Sequence, residues 1–161
     1  VWCTGFRATD PVPHGMFIGR EGLDLTRRWH DGLEAYLGMS VSGFPNLFIL
    51  NGPNTGLGHN SVVFMLEAQM RYVMDAVLRM RRDGIRVLEV RRDVEQVFNA
   101  RLQDRLAGTV WASGCRSWYL DANGRNTTLW PGYTVDYWWR TRRFRPEDFV
   151  LRDGLTNASL T

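Results

Sequence analysis

The strongest periodicity in the chain runs from residue 62 to residue 78. Val62, Leu66, Met70, Val73 and Val77 recur at spacings of 4, 4, 3 and 4, and Val63, Met74 and Leu78 widen the stripe. That spacing predicts an amphipathic helix. Asn60 or Ser61 can cap its start, Gly84 can end it, and Arg79, Arg81 and Arg82 suit the negative end of its dipole. Ile85 to Val90 then reads as a strand. Asp93, with Gln96 three residues later, resembles a capping box that opens a helix on Val94, Val97, Phe98, Leu102 and Leu106, closed at Gly108. Upstream, Leu47 to Leu50 is an apolar run between Pro45 and Gly52-Pro53, which predicts a fully buried strand of a parallel sheet. Val1 to Cys3 reads as the end of another strand and Met16 to Gly19 as a short one. Leu23 to Leu37, with Trp29, Leu33 and Leu37 four apart, holds a short helix. Strands alternating with helices define an α/β fold.

From Thr109 onward the pattern changes. Five of the seven tryptophans (Trp111, Trp118, Trp130, Trp138 and Trp139) are interleaved there with Gly, Asn and Arg. Tyr133 to Arg143 reads as a short helix, and the polar stretch Leu151 to Thr161 as a tail. The organisation expected is therefore three parts: 1–108, an aromatic-rich extension over 109–150, and a tail over 151–161.

At 161 residues the chain is long enough for one ordinary domain, and 44% hydrophobic with 23% charged residues argues against disorder. No apolar run approaches the roughly 20 residues that span a bilayer, so no membrane segment is expected. All 20 basic residues are arginine, against 17 acidic ones, but the +3 excess is spread along the chain. A dedicated nucleic-acid surface is not expected, although a small basic binding module is a distant alternative. Cys3 and Cys115 are too few for a disulfide framework and suit a cytoplasmic setting, and His14, His30 and His59 are scattered, so no metal site is expected. The opening Val1-Trp2-Cys3-Thr4-Gly5 starts as though inside a strand, which predicts that the chain is a piece of a longer polypeptide.

The stretch that carries chemistry is Gly52 to Ser61, GPNTGLGHNS, between the apolar run and the long helix. A glycine-rich loop there lets a ligand approach the backbone, and the first unpaired N–H groups of the helix face that ligand. An electron-rich or anionic group near Asn60, Ser61 and Val62 is the expected occupant. The loop is neither a Walker A sequence nor a G-x-G-x-x-G fingerprint, so it is silent about which cofactor binds. Ser61 and His59 lie too close in sequence to serve as a nucleophile and its base, and no third group orients them.

In order along the chain, WCTGF (Trp2 to Phe6), GREGLDL (Gly19 to Leu25), EAYLG (Glu34 to Gly38), GFPNLFILNGPNTGLGHNS (Gly43 to Ser61) and SWYLDANGRNTTLWPGY (Ser117 to Tyr133) resemble the C-terminal third of Baeyer–Villiger-type flavin-containing monooxygenases. The bacterial 4-hydroxyacetophenone-type subgroup has the nearest texture. The resemblance implies that 1–108 is the C-terminal part of an FAD-binding domain in a flavoprotein with two dinucleotide-binding domains, FAD and NADPH being its cofactors. It implies one oxygen atom from O2 inserted into a ketone through a C4a-peroxyflavin. N- or S-oxidation, or a truncated inactive remnant, are the alternatives. Thr4 and Gly5 match the family's ATG-like turn, with Cys3 in place of alanine. Gly52, Asn54, Asn60, Ser61 and Val62 match its flavin-side loop and helix start, and Trp118 matches a mobile segment over NADP. The family's dinucleotide fingerprints, and the arginine that steadies the oxygenated flavin, lie upstream of Val1. No catalytic residue is therefore assigned, and the missing N-terminal portion of the same polypeptide is the expected partner.

Overall fold

The computed structural model describes residues 12–58, 60–110, 119–121 and 123–153. Its longest element is a 22-residue helix. Counting a single turn near the start as α1 (Leu25–Arg28), this helix is α2 (Val62–Asp83). It has neither Gly nor Pro inside, and it stops where Gly84 turns left-handed (φ 68°) and donates its N–H to the Met80 carbonyl. A side chain is disfavoured at that φ, which is why glycine ends the helix. β1 (Ile85–Val90), α3 (Arg92–Ala107), α4 (Thr134–Thr141) and β2 (Phe149–Asp153) follow.

β1 and β2 form a two-stranded antiparallel sheet in which Leu88 faces Leu151 and Val90 faces Phe149, with an irregularity between Ile85 and Val87. The strand expected from Ile85 to Val90 is therefore present. Leu151 to Asp153, expected to begin the tail, instead complete β2, because their backbone pairs with β1. The first core packs α2 against this sheet through Tyr72, Ala76, Leu88, Val90, Phe144 and Phe149. A second gathers Leu25, Trp29, Leu33, Val41 and Phe44, and a third joins Met65 and Ala68 of α2 to Leu102 and Leu106 of α3, with Trp130 and Tyr137.

Three further expectations change. Leu47 to Leu50 form no strand: their segment leaves the turn at Asn46 (φ 60°), and Leu50 is 44% exposed. A ladder needs a run of bonds to a neighbouring strand, and among the described residues the segment has a single one, from the Ile49 N–H to the Met39 carbonyl at 2.8 Å. Asn46 instead bonds the outer edge of β1, its side chain accepting from the Leu88 N–H at 2.9 Å and donating to the Arg86 carbonyl at 3.0 Å. Met16 to Gly19 is likewise reduced to one bridge, Ile18 with Asp24. The capping box at Asp93 does not form. α3 begins at Arg92 with Arg91 at the N-cap and no side-chain capping bond, so Asp93 falls inside the first turn, where its carboxylate pairs with Arg91 at 2.6 Å.

The face of α2 also differs from the stripe read in the sequence. The buried positions are Met65, Ala68, Gln69, Tyr72 and Ala76, whereas Met70 and Val77 are 54% and 44% exposed. The small side chains of Ala68 and Ala76 allow close approach, and Tyr72 fills the space between them. The helix is apolar on two opposite sides, so periodicity alone could not choose between them.

Glu95 of α3 is wholly buried. Its Oε2 accepts the Ser42 hydroxyl, the Ser42 N–H at 3.2 Å and Arg28 Nη2 at 3.3 Å, which ties α3 to the second core. Burial nevertheless pushes its pKa up, the bonds from Ser42 and Arg28 offsetting only part of that cost. The folded state thus holds the proton more tightly than the unfolded chain. Glu95 contributes most to stability below its unfolded pKa, and that contribution falls as the pH rises through the folded value. Urea midpoints measured between pH 4 and 7 are expected to carry this downward slope, and Glu95→Gln is expected to flatten it.

Candidate functional site

The glycine-rich loop is held from three directions. At its entry the Asn51 N–H donates to Oε1 of the buried Gln69 on α2 at 2.9 Å. Along its length it pairs with a segment more than 70 residues downstream. Asn54 N–H donates to the Thr127 carbonyl, Gly56 N–H to the Thr128 carbonyl and Trp130 N–H to the Gly56 carbonyl, each at 2.9 Å. Gly56 and Leu129 form a parallel bridge. The Asn54 side chain, 3% exposed, donates Nδ2 to the carbonyls of Asn126 (2.8 Å) and Leu129 (3.1 Å). Asn126 in turn accepts the N–H groups of Thr128 and Leu129 on its Oδ1. At the exit Asn60 Nδ2 donates to the Thr134 hydroxyl at 2.9 Å, which joins the start of α2 to the start of α4.

The glycines also make room within the protein itself. A Cβ on Gly52 would fall on the Gly38 carbonyl, and one on Gly56 would lie 2.9 Å from the Thr128 carbonyl. The missing side chains make room for the protein's own backbone. Asn54 holds the loop in the same way, with its amide donors engaged by backbone carbonyls. The part of the predicted site that stays open is the opening turn of α2. Asn60 and Ser61 are exposed and Val62 is half-buried. Ser61 stands at the N-cap without a side-chain capping bond, while its own N–H is taken by Asn60 Oδ1 at 2.7 Å. The first backbone N–H groups of the helix therefore lack an intrahelical acceptor, and a group carrying electron density suits them.

Beside the loop lies a cavity of about 570 Å³. Gly52, Pro53 and Gly56 form one side, Trp29, Leu33 and Phe17 another, and Thr127 and Thr128 close it. The wall is largely apolar, as organic-ligand sites are. Gly52, Asn54, Asn60, Ser61 and Val62 are thus gathered on one loop and helix start, whereas Thr4, Gly5 and Trp118 lie outside the described residues. The clamp at Asn126 to Thr128 was missed, since its Asn-Thr-Thr sequence resembles any polar loop. Among the described residues no group of three or more His, Cys, Asp or Glu could hold a metal ion, and no helix is long and apolar enough to cross a membrane.

Backbone comparison places this arrangement among known structures. An oxidized steroid monooxygenase bound to NADP superposes with a TM-score of 0.74 at 26% identity, over 85% of this chain and 26% of that one. Cyclohexanone monooxygenase from Rhodococcus sp. Phi1 bound to NADP+ gives the same TM-score at 24% identity, over 85% of this chain and 27% of its own. The described fold matches part of the α/β flavoprotein fold of these monooxygenases. By sequence, the chain is homologous along nearly its whole length to Baeyer–Villiger monooxygenases. It is 51% identical over 153 residues to one from Pseudomonas aeruginosa and 43% identical over 155 residues to one from Streptomyces coelicolor, each match covering 94% of this chain. The FAD-binding monooxygenase ktnD of Aspergillus niger is 39% identical over 157 residues. The chain spans 29%, 30% and 26% of these three relatives respectively, under a third of each. No family model matches it.

Two substitutions test the clamp. Asn54→Ala leaves two buried carbonyls without their donor and is expected to lower stability by about 2–3 kcal/mol. Gly56→Ala sets a methyl against the Thr128 carbonyl and is expected to cost about 1–3 kcal/mol. Urea unfolding at neutral pH reads both.

Proposed function

We propose that this chain is the C-terminal part of an FAD- and NADPH-dependent monooxygenase that inserts one oxygen atom of O2 into a ketone, acting in the cytoplasm. The homology to Baeyer–Villiger monooxygenases over 94% of the chain carries the reading, and the glycine loop opening α2 gives it a physical basis. Bound FAD, reduced by NADPH, supplies the oxygen chemistry. The residues here supply orientation and charge. The open backbone N–H groups from Val62 onward, beside the Ser61 N-cap, would face the electron-rich edge of the ring system, and the α2 dipole would favour negative charge there. Gly52 and Asn54 set the course of the loop, so that these amides hold a fixed direction. The apolar cavity beside the loop keeps water from the reacting region. Thr4 and Gly5 join this part to the nucleotide domain, and Trp118 lies against NADP. The domain reading follows: residues 1–108 complete the FAD-binding domain and 109–150 form an extension applied to it. Spanning under a third of its relatives, the chain alone is not expected to turn over substrate.

The polypeptide that contains this chain is expected to purify with bound flavin, to bleach anaerobically with NADPH, and to convert a ketone to an ester or lactone when oxygen is admitted. Product analysis and flavin absorbance read this, and a protein free of flavin overturns it. Ser61→Asp sets a carboxylate where the reduced ring's charge develops, a penalty of about 1 kcal/mol. It is expected to slow NADPH-driven bleaching about fivefold while leaving flavin content unchanged.

A further inference from the structure

Against α3, and bordered by Trp130 of the clamp, lies a second cavity of about 390 Å³. Its charge is one-sided. Arg101, Arg105, Arg140 and Arg145 line it against two carboxylates, Asp93 and Asp148. Both carboxylates are already engaged, Asp93 by Arg91 at 2.6 Å and Asp148 by the Tyr36 hydroxyl at 2.5 Å. Arg105 lies over the Trp130 ring with its guanidinium carbon 5.7 Å from the centroid, and it reaches Asp136 only at 4.0 Å. Arg101 and Arg140 form no side-chain hydrogen bond or ion pair among the described residues. Four guanidinium groups against two carboxylates leave an excess of positive charge in one concavity, so an anion bound there gains from it.

The rest of the wall is apolar. Val94, Val97, Phe98, Arg101 and Arg105 fall on one face of α3, with Val97 51% exposed. Arg140 approaches from the end of α4 and Arg145 from the turn before β2. A guanidinium is planar and engages phosphate oxygens in pairs, and the valine and phenylalanine surface beside it suits a flat apolar body. The volume holds one substituted ring and not a dinucleotide.

We propose that this cavity binds a small phosphate monoester carried on an aromatic ring, its two negative charges matching the excess of four guanidinium groups over two carboxylates. Arg101 and Arg140 hold the phosphate, and Val97 and Phe98 pack on the ring. The site shares Trp130 with the clamp but has no glycine-loop residue in its lining, and it does not depend on the flavin reading.

The test uses the full-length polypeptide that contains this chain, saturated with NADP+ so that a dinucleotide site cannot account for binding. Calorimetric titration with phenyl phosphate is expected to give a Kd at least tenfold below that of inorganic phosphate. The double variant Arg101→Gln/Arg140→Gln is expected to weaken phenyl phosphate at least tenfold with flavin content unchanged. In the unaltered protein, phenyl phosphate is expected to slow phenylglyoxal modification of Arg101 and Arg140 but not of the exposed Arg86, read by peptide mass spectrometry. This footprint holds whether or not the variant folds. Equal affinity for inorganic phosphate means an adventitious ion only and overturns the proposal, as does an absence of protection at both arginines. Loss of ketone oxidation with phenyl phosphate binding intact would sink the monooxygenase reading and leave this one standing.

Discussion

The pairing of the glycine loop with the segment from Asn126 to Trp130 sets the rest of the structure. A loop between an apolar run and a helix has no ladder of its own, so its backbone groups must find partners or stay in water. Here they find them in a distant stretch of chain that would otherwise be irregular too. Each segment satisfies the other, and Asn54, buried and in a left-handed conformation (φ 56°), supplies the side-chain bonds that fix the register between them. Gly56 is required because the two backbones approach closer than a Cβ permits, and Gly52 because the loop passes as closely over the Gly38 carbonyl. The start of α2 inherits its position from this clamp and from the Asn60–Thr134 bond.

That arrangement explains why local reading succeeded where it did. β1, with its residues from Ile85 to Val90, and the end of α2 at Gly84 were legible, because a short run rich in Ile, Val and Leu and a left-handed glycine are local signals. The helix at α4 was legible to within two residues at its C-terminal end. The parallel strand at Leu47 to Leu50 was not, because a strand is defined by a ladder, and among the described residues only Ile49 bonds across, to the Met39 carbonyl. Nor was the choice of face on α2. Met70 and Val77 are as apolar as the buried Met65, and only the fit of Ala68 and Ala76 against their neighbours decides which side turns inward.

For the candidate site the same division holds. The loop and the helix start could be found from Gly, Asn and Ser at a strand-to-helix junction, and the motif order tied them to flavoproteins. The function of the individual residues could not. Asn54 reads in sequence as a ligand-binding amide, yet its donors go to Asn126 and Leu129. Likewise, nothing in the sequence marks Glu95, which is a buried junction between α3 and the second core, where it holds Ser42 and Arg28. Neither role leaves a trace in spacing or composition, since both depend on residues brought together over more than 50 positions.

The separation between Asn54 and Leu129 is 75 residues. During synthesis from the N-terminus, the loop leaves the ribosome long before the strand of chain that shapes it. Until residue 130 has emerged, α2 can coil but its opening amides have no fixed aim. Any nucleotide captured at that end is therefore gripped late, once the last third of this stretch has been translated and laid down.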